Sequence, residues 1–191
     1  MTMRRMVMAA GGAVLPVAVI SVVFGNQWVA EALRNEAGPA YGGIWQPVYW
    51  LQTLRWFLYA DNGMSWGVVI AVDFGVILSL ALLAALVAVG IRAVDPNRGA
   101  LGAVITGWWA CVVAAGVGGF ITGLFVELVI DSAEFHKIGG YVADGTSFGL
   151  LYGWTAGLGA LAGHHLTRDR GLGGRQPVQQ PFAQQQYGQQ P

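Results

Sequence analysis

The sequence predicts an all-α membrane protein. It should have four transmembrane helices, two of them paired through a glycine ladder, plus an extracytoplasmic aromatic interfacial helix and a disordered C-terminal tail. Three observations lead there. The 191 residues are 55% hydrophobic and only 10% charged, whereas a soluble domain carries about 25% charge. Several stretches with few or no charged residues approach or exceed the ~20 residues that span hydrocarbon. Glycine recurs every fourth residue at Gly145, Gly149, Gly153 and Gly157, a spacing that suits helices packing closely in lipid and suits a helix in water poorly.

Met1 to Arg5 is a short basic start. From Met6 to Phe24 no residue is charged, which predicts the first span over 6–24, kinked or locally rearranged at Pro16. A cleaved signal peptide is the rival reading, with Ala30-Glu31-Ala32 as the cleavage site. The apolar run is longer than the usual ~7–15 residues of such a segment, and Ala32 lies well past its end.

Residues 25–65 form the extracytoplasmic interfacial segment. Asn26 is placed to cap a short helix that stops near Gly38, with Glu31, Arg34 and Glu36 on its wet side. The stretch from Gln46 to Asp61 is dense in Trp and Tyr, with Gln52, Thr53 and Arg55 in its middle. Pro47 suits its first turn and Gly63 its stop. Amphipathic rings belong at headgroup level, so a helix lying in or dipping into the interface is expected.

Ser65 caps the second span, 66–91, which holds one charge, Asp73. Asp95 and Pro96 supply the cap and first position of the third span, 101–130, which is longer than a bilayer needs and must tilt or protrude. A polar loop is expected over 131–144, and the fourth span over 145–166. These spans and the interfacial segment make one domain, 1–166. The Gln/Pro-rich remainder, 167–191, holds too few apolar residues for a core and is expected to be a disordered cytoplasmic tail.

Basic residues set the orientation. Arg4, Arg5, Arg92, Arg98 and the arginines after 166 fall on one side; Arg34, Arg55 and Lys137 fall on the other among acids. The first side is the cytoplasmic one, so both termini are cytoplasmic and the localisation is the cell membrane. All basic residues but Lys137 are arginine, which together with abundant Ala, Gly and Val hints at a GC-rich bacterial genome.

The third span carries a matching four-residue series, Gly107, Cys111, Ala115, Gly119 and Gly123. Such a series drifts ~40° per turn of a 3.6-residue helix, so it forms a winding ridge rather than a stripe. Two such ridges favour a crossing near −40°, within one chain or in a homo-oligomer. Gly159 and Gly163 add one more such four-spaced pair on the fourth span.

Asp73 is the most informative charge. It lies seven residues past Trp66, about 10 Å along the helix. A carboxylate there costs at least ~2.5 kcal/mol on insertion scales. It must face the bundle, pair with a base or be protonated, and Arg55 on the aromatic segment is the preferred partner. Glu127 is a supporting acid at a solvated helix end. Asp131, Glu134 and His136 match no strong metal motif. His164 and His165 point to different faces and suit the last turns of a helix. Cys111 reads as a small packing residue.

Phosphate-loop, nucleophile-elbow, zincin and redox-dithiol signatures are all missing, so no enzyme, cofactor or metal is expected. The formal charge of zero argues against nucleic acid. Partners are then the lipid bilayer and other membrane proteins or further copies. The expected role is a non-enzymatic structural or accessory subunit acting through helix packing and an outer aromatic platform. The alternative is a small transporter or channel using Asp73 for proton or cation coupling.

Overall fold

The computed structural model of the chain describes residues 3–37, 43–60, 64–93, 99–130 and 135–172, without the side chains of 34, 37, 44, 135 and 167–172. It is all-helical. The helices are α1 (Met3–Phe24), α2 (Gln27–Ala37), α3 (Gln46–Leu51), α4 (Trp66–Gly90), α5 (Ala100–Ile130) and α6 (Phe135–Leu172). Among the described residues three helical stretches are long and apolar enough to cross a membrane, Met3–Phe24, Trp66–Ala93 and Ala100–Ile130. They mark the chain as a multi-pass membrane protein. Glycine and polar side chains dilute α6, although its 38 residues reach about 57 Å at 1.5 Å per residue.

The four long helices form a ring: α6 packs on α5 and α1, and α4 packs on the same two neighbours. The core where they meet is rich in alanine: Ala9, Ala13, Ala103, Ala156 and Ala160 are fully buried, as is Phe148. Small side chains bring helix axes together, and dispersion between backbones replaces the hydrophobic drive that lipid removes.

At the α5–α6 seam, a methyl group added to Gly107 would lie 2.7 Å from Gly157 Cα, and one on Gly157 2.5 Å from Val104 O. Gly145 and Gly149 rest against the backbone of Ala115 and Val112, and Gly119 against that of Tyr141. Gly123 faces Ile138 Cα at 3.2 Å, measured the same way. Gly153 makes room for the Trp108 indole, whose Nε1–H reaches the Gly149 and Leu150 carbonyls at 3.2 Å each.

Gly159 and Gly163 do not extend that face. The step from 157 to 159 turns about 200° around the helix, so these two glycines meet α1, against the backbone of Gly12 and Met8. The contact between Gly12 and Gly159 is reciprocal. Gly12 also carries the carbonyl that Pro16 leaves without a helical donor, and that oxygen lies against Gly159. The same end of the bundle joins the start of α1 to the end of α6, where Arg5 donates to His164 Nε2 at 2.7 Å.

A further seam, absent from the sequence reading, joins α4 to α5. Gly75 receives the Thr122 hydroxyl group and Gly118 receives that of Ser79. Each hydroxyl donates to its own helix four residues back, Ser79 to Gly75 O and Thr122 to Gly118 O, both at 2.8 Å. The polar groups are thus satisfied inside the helix that carries them, which a lipid environment demands.

Two expectations about elements need correction. The polar loop placed over 131–144 is helix from Phe135 onward. Buried Ile138 and the Tyr141 ring pack on the small positions Gly119 and Gly123 of α5, and that contact outweighs the low helix propensity of Gly139 and Gly140. The helix expected over 46–61 stops at Leu51. Beyond it the chain is irregular, with an isolated parallel bridge between Asn26 and Trp56. The expected roles of Gly63, Asp95 and Pro96, residues 131–134 and the tail from 173 onward lie outside the described residues.

Candidate functional site

The end of the bundle opposite Arg5 and His164 is closed by residues 46–58. An irregular segment at the end of a membrane bundle must find a partner for every buried backbone group, and those partners can be named. Ser21 Oγ donates to Leu54 O at 2.7 Å. Gly25 O accepts Trp56 N–H at 2.9 Å, and Ser21 O accepts the Trp56 indole at 3.1 Å. Asp73 Oδ1 accepts Phe57 N–H at 3.0 Å, and buried Gln27 accepts Leu58 N–H through Oε1 at 3.0 Å. Gly25 admits the segment: a side chain there would strike Leu54 O and come within 3.1 Å of Arg55 Cα.

Asn26 makes the turn that positions this end. Its Oδ1 caps α2 by accepting Val29 N–H at 2.9 Å, while Nδ2 donates to Val22 O and Val23 O in the last turn of α1. Ser65 caps α4 through Val68 N–H at 3.4 Å.

The other side of the segment is fastened to α6. The Tyr49 phenol donates to Asp144 Oδ2 at 3.0 Å, Thr53 Oγ1 donates to Asp144 O at 3.4 Å, and the Tyr152 phenol donates to Pro47 O at 2.8 Å. Burial, reinforced by the Asp144 carboxylate, pushes the Tyr49 phenol above its ordinary value, so it remains a donor throughout the neutral range. The sign follows: with the folded value above the unfolded one, the link is intact below about pH 10 and is lost as pH rises through the folded value. Tyr49→Phe is expected to remove one late-ionising phenol from an alkaline absorbance titration and to lower stability by about 1.5–3 kcal/mol, the usual worth of a hydrogen bond to a charged group. An unchanged titration would contradict the Tyr49–Asp144 bond.

Between this segment and the helices α4, α5 and α6 lies a cleft of about 440 Å³. Gln52, Thr53, Leu54 and Arg55 form one wall, Val72 to Ser79 of α4 and Ala115 to Thr122 of α5 the next two, and the first turns of α6 the last. His136, Lys137, Tyr141 and Asp144 are the polar groups α6 contributes. One helical turn beyond the lining residues Ser79 and Asp144, Leu83 and Phe148 are fully buried.

The residues singled out from sequence are distributed as follows. Arg55 lines the cleft, its guanidinium 6.0 Å from the Phe57 ring centroid. Asp73 does not line it. The expected Asp73–Arg55 ion pair is absent among the described residues; Asp73 binds the same segment through the Phe57 backbone instead. A helix-borne carboxylate can meet an extended N–H side-on, and that bond satisfies both groups with no second charge to desolvate. Glu127, expected at a solvated helix end, is instead buried at 7% exposure. Gly107, Gly119, Gly123, Gly145, Gly149, Gly153 and Gly157 all lie at the α5–α6 seam.

Sequence reasoning missed the cleft, the Tyr49–Asp144 bond and the α4–α5 seam. The last had a signal: Gly75 and Ser79, like Gly118 and Thr122, are small residues four apart, the spacing that brings helices close in membranes. Comparison with protein-family models, curated proteins and solved structures finds no match for this chain.

Proposed function

We propose that the chain is a four-span protein of the cell membrane, both termini cytoplasmic, that serves as a non-enzymatic structural or accessory subunit. In this reading α6 is the fourth span, the glycine faces of α5 and α6 hold the bundle together, and residues 46–58 form a rigid outward-facing aromatic platform. Exposed apolar side chains on all four long helices support it, including Leu150, Trp154 and Leu158 of α6. Water would not tolerate so large a continuous apolar surface.

The observation that carries the reading is the fastening of 46–58 by bonds to α1, α4 and α6. A platform bonded on three sides loses little entropy when a partner lands on it. The rival, a small transporter or channel driven by Asp73, needs that carboxylate in a wet path through the bundle. Asp73 instead serves a backbone N–H and is not among the residues that line the cleft.

Two measurements test the role. Purified protein in liposomes loaded with a pH-sensitive dye should produce no proton or cation flux that depends on Asp73. Flux abolished by Asp73→Asn would favour the transporter. Gentle extraction should release the chain with a partner subunit or further copies in fixed ratio, and recovery as a lone monomer would contradict an accessory role.

A further inference from the structure

We propose that the end of the bundle marked by the Arg5–His164 bond is a collar that selects anionic phospholipids, with Arg4 and Arg92 taking headgroup phosphates. The collar needs only a bundle seated in a bilayer; an accessory role for the protein is not required.

The first observation is how the charge is divided. The chain has ten basic and ten acidic residues and no net charge, yet its two ends differ. At the Arg5–His164 end, Arg4 and Arg5 open α1, Arg92 stands in the 3-10 turn Ile91–Ala93 that follows α4, and Arg168 and Arg170 belong to the last turns of α6. In the sequence Arg98 directly precedes Gly99 and α5, and Arg175 follows α6. The only acids in these stretches are Asp95 and Asp169. The remaining acids, from Glu31 to Asp144, belong to the opposite half with Arg34, Arg55 and Lys137. One end is strongly positive and the other strongly negative. Arg5 is held by His164. Arg4 and Arg92 are exposed, and among the described residues neither makes a hydrogen bond or an ion pair.

The second observation names the occupant. On each long helix an exposed apolar side chain lies within about one turn of an arginine. Val7 follows Arg4 by three positions on α1, and Val89 precedes Arg92 by three at the end of α4. Leu101 follows Arg98 by three at the start of α5, and Leu166 precedes Arg170 by four on α6. All four apolar side chains are exposed. A soluble acidic protein would meet the charges alone. A phospholipid meets both, its acyl chains against the apolar side chains and its phosphate at the guanidinium groups, which reach from helix ends to the interface. The basic residues of this end are all arginine, whose planar fork matches phosphate oxygens in pairs. Clusters of about four to eight basic residues beside spans recognise anionic lipid. A zwitterionic headgroup carries the same phosphate but cancels its charge, so the surplus of arginine favours the lipid with net negative charge. Each arginine near such a surface contributes about five-fold.

The test compares two lipids that differ in headgroup charge and share chains and phosphate. The full chain in a neutral detergent is titrated with dioctanoyl phosphatidylglycerol and dioctanoyl phosphatidylcholine. Native mass spectrometry gives the two affinities, and melting in low salt and in about 1 M salt gives the stabilisation by each lipid. Phosphatidylglycerol should bind about five-fold tighter or more, and its extra stabilisation should vanish in high salt, where the screening length falls to about 3 Å. The double variant Arg4→Gln/Arg92→Gln should lose at least half of the preference, and adding Arg168→Gln/Arg170→Gln should bring the two lipids to parity. Arg34→Gln, on α2 at the opposite end, should bind like the parent. Equal binding of the two lipids by the parent would overturn the proposal and turn the basic end towards an acidic protein. A preference that survives high salt, or that the double variant retains while eluting and melting like the parent, would overturn it too. So would an equal loss in Arg34→Gln. None of these outcomes bears on flux or on co-purifying subunits, so the accessory reading stands or falls separately.

Discussion

Gly149→Val is expected to destabilise the bundle by about 3 kcal/mol, the upper end of the usual overpacking range. At this position a first side-chain carbon would already meet the backbone of Val112 and the Cys111 carbonyl. Backbone atoms in a helix cannot turn aside as a side-chain tip can, so the whole of α6 must move away from α5. Displacing it breaks the neighbouring contacts at Gly145 and Gly157 and pulls the Leu150 carbonyl from the Trp108 indole. The informative controls are Gly11→Ala and Gly139→Ala. Both lie inside helices, and beyond the helix's own local backbone and chain neighbours neither has an atom within 4 Å of the added carbon. Each should stabilise by about 0.4–1 kcal/mol through loss of unfolded-state freedom. Opposite signs from glycines in the same helix would locate the seam. Melting in detergent micelles reads both, and equal effects at Gly149 and Gly139 would contradict the packing.

Asp73→Leu is expected to release the stretch around Phe57 rather than to unfold the protein. The carboxylate satisfies Phe57 N–H at 3.0 Å. Without it the amide is left unpaired, at a cost of about 1–3 kcal/mol. Overall melting is the wrong readout. Removing the charge also removes the cost of holding a carboxylate in the bundle, at least ~2.5 kcal/mol on insertion scales, and the two effects oppose each other. Local opening keeps them apart. Hydrogen exchange at Phe57 and Leu58 should speed up by about 10- to 100-fold, since every 1.4 kcal/mol is a factor of ten. Asp73→Asn keeps an oxygen acceptor and should fall between leucine and the parent. An asparagine variant that exchanges like the leucine one, or a leucine variant that leaves exchange unchanged, would contradict the bond.

What was legible in the sequence was local. Asn26 and Ser65 carry the chemistry of helix starts, and both cap a helix in the fold. A four-residue glycine spacing names a face of a helix, and Gly145 to Gly157 do lie together. It cannot name the neighbour. Gly159 and Gly163 read as one more four-spaced pair, and a turn of about 200° gives that pair to α1. The segment 135–144 reads as a loop because it is polar and Gly139 and Gly140 are weak helix formers. Ile138 and Tyr141 find matching small positions on α5, a match invisible in either stretch alone. The longest-range features were the least legible. The sequence points from Asp73 to Arg55, whereas the structure bonds Asp73 to the Phe57 amide, because sequence reveals charges and hides a backbone amide in need of an acceptor. Gln52 looked like a polar residue on an interfacial helix. Its burial follows only once that helix ends at Leu51 and the chain turns in.

The central claim is that α6 crosses the bilayer as a fourth span between α5 and α1, and side-selective cysteine labelling tests it most directly. In a Cys111→Ala background, Met3→Cys, Tyr59→Cys and His165→Cys each place one thiol at a position exposed in the fold. An impermeant maleimide applied to sealed vesicles of known orientation should reach Met3→Cys and His165→Cys from the cytoplasmic side only, and Tyr59→Cys from the opposite side only. Labelling of His165→Cys from the same side as Tyr59→Cys would contradict the fourth span.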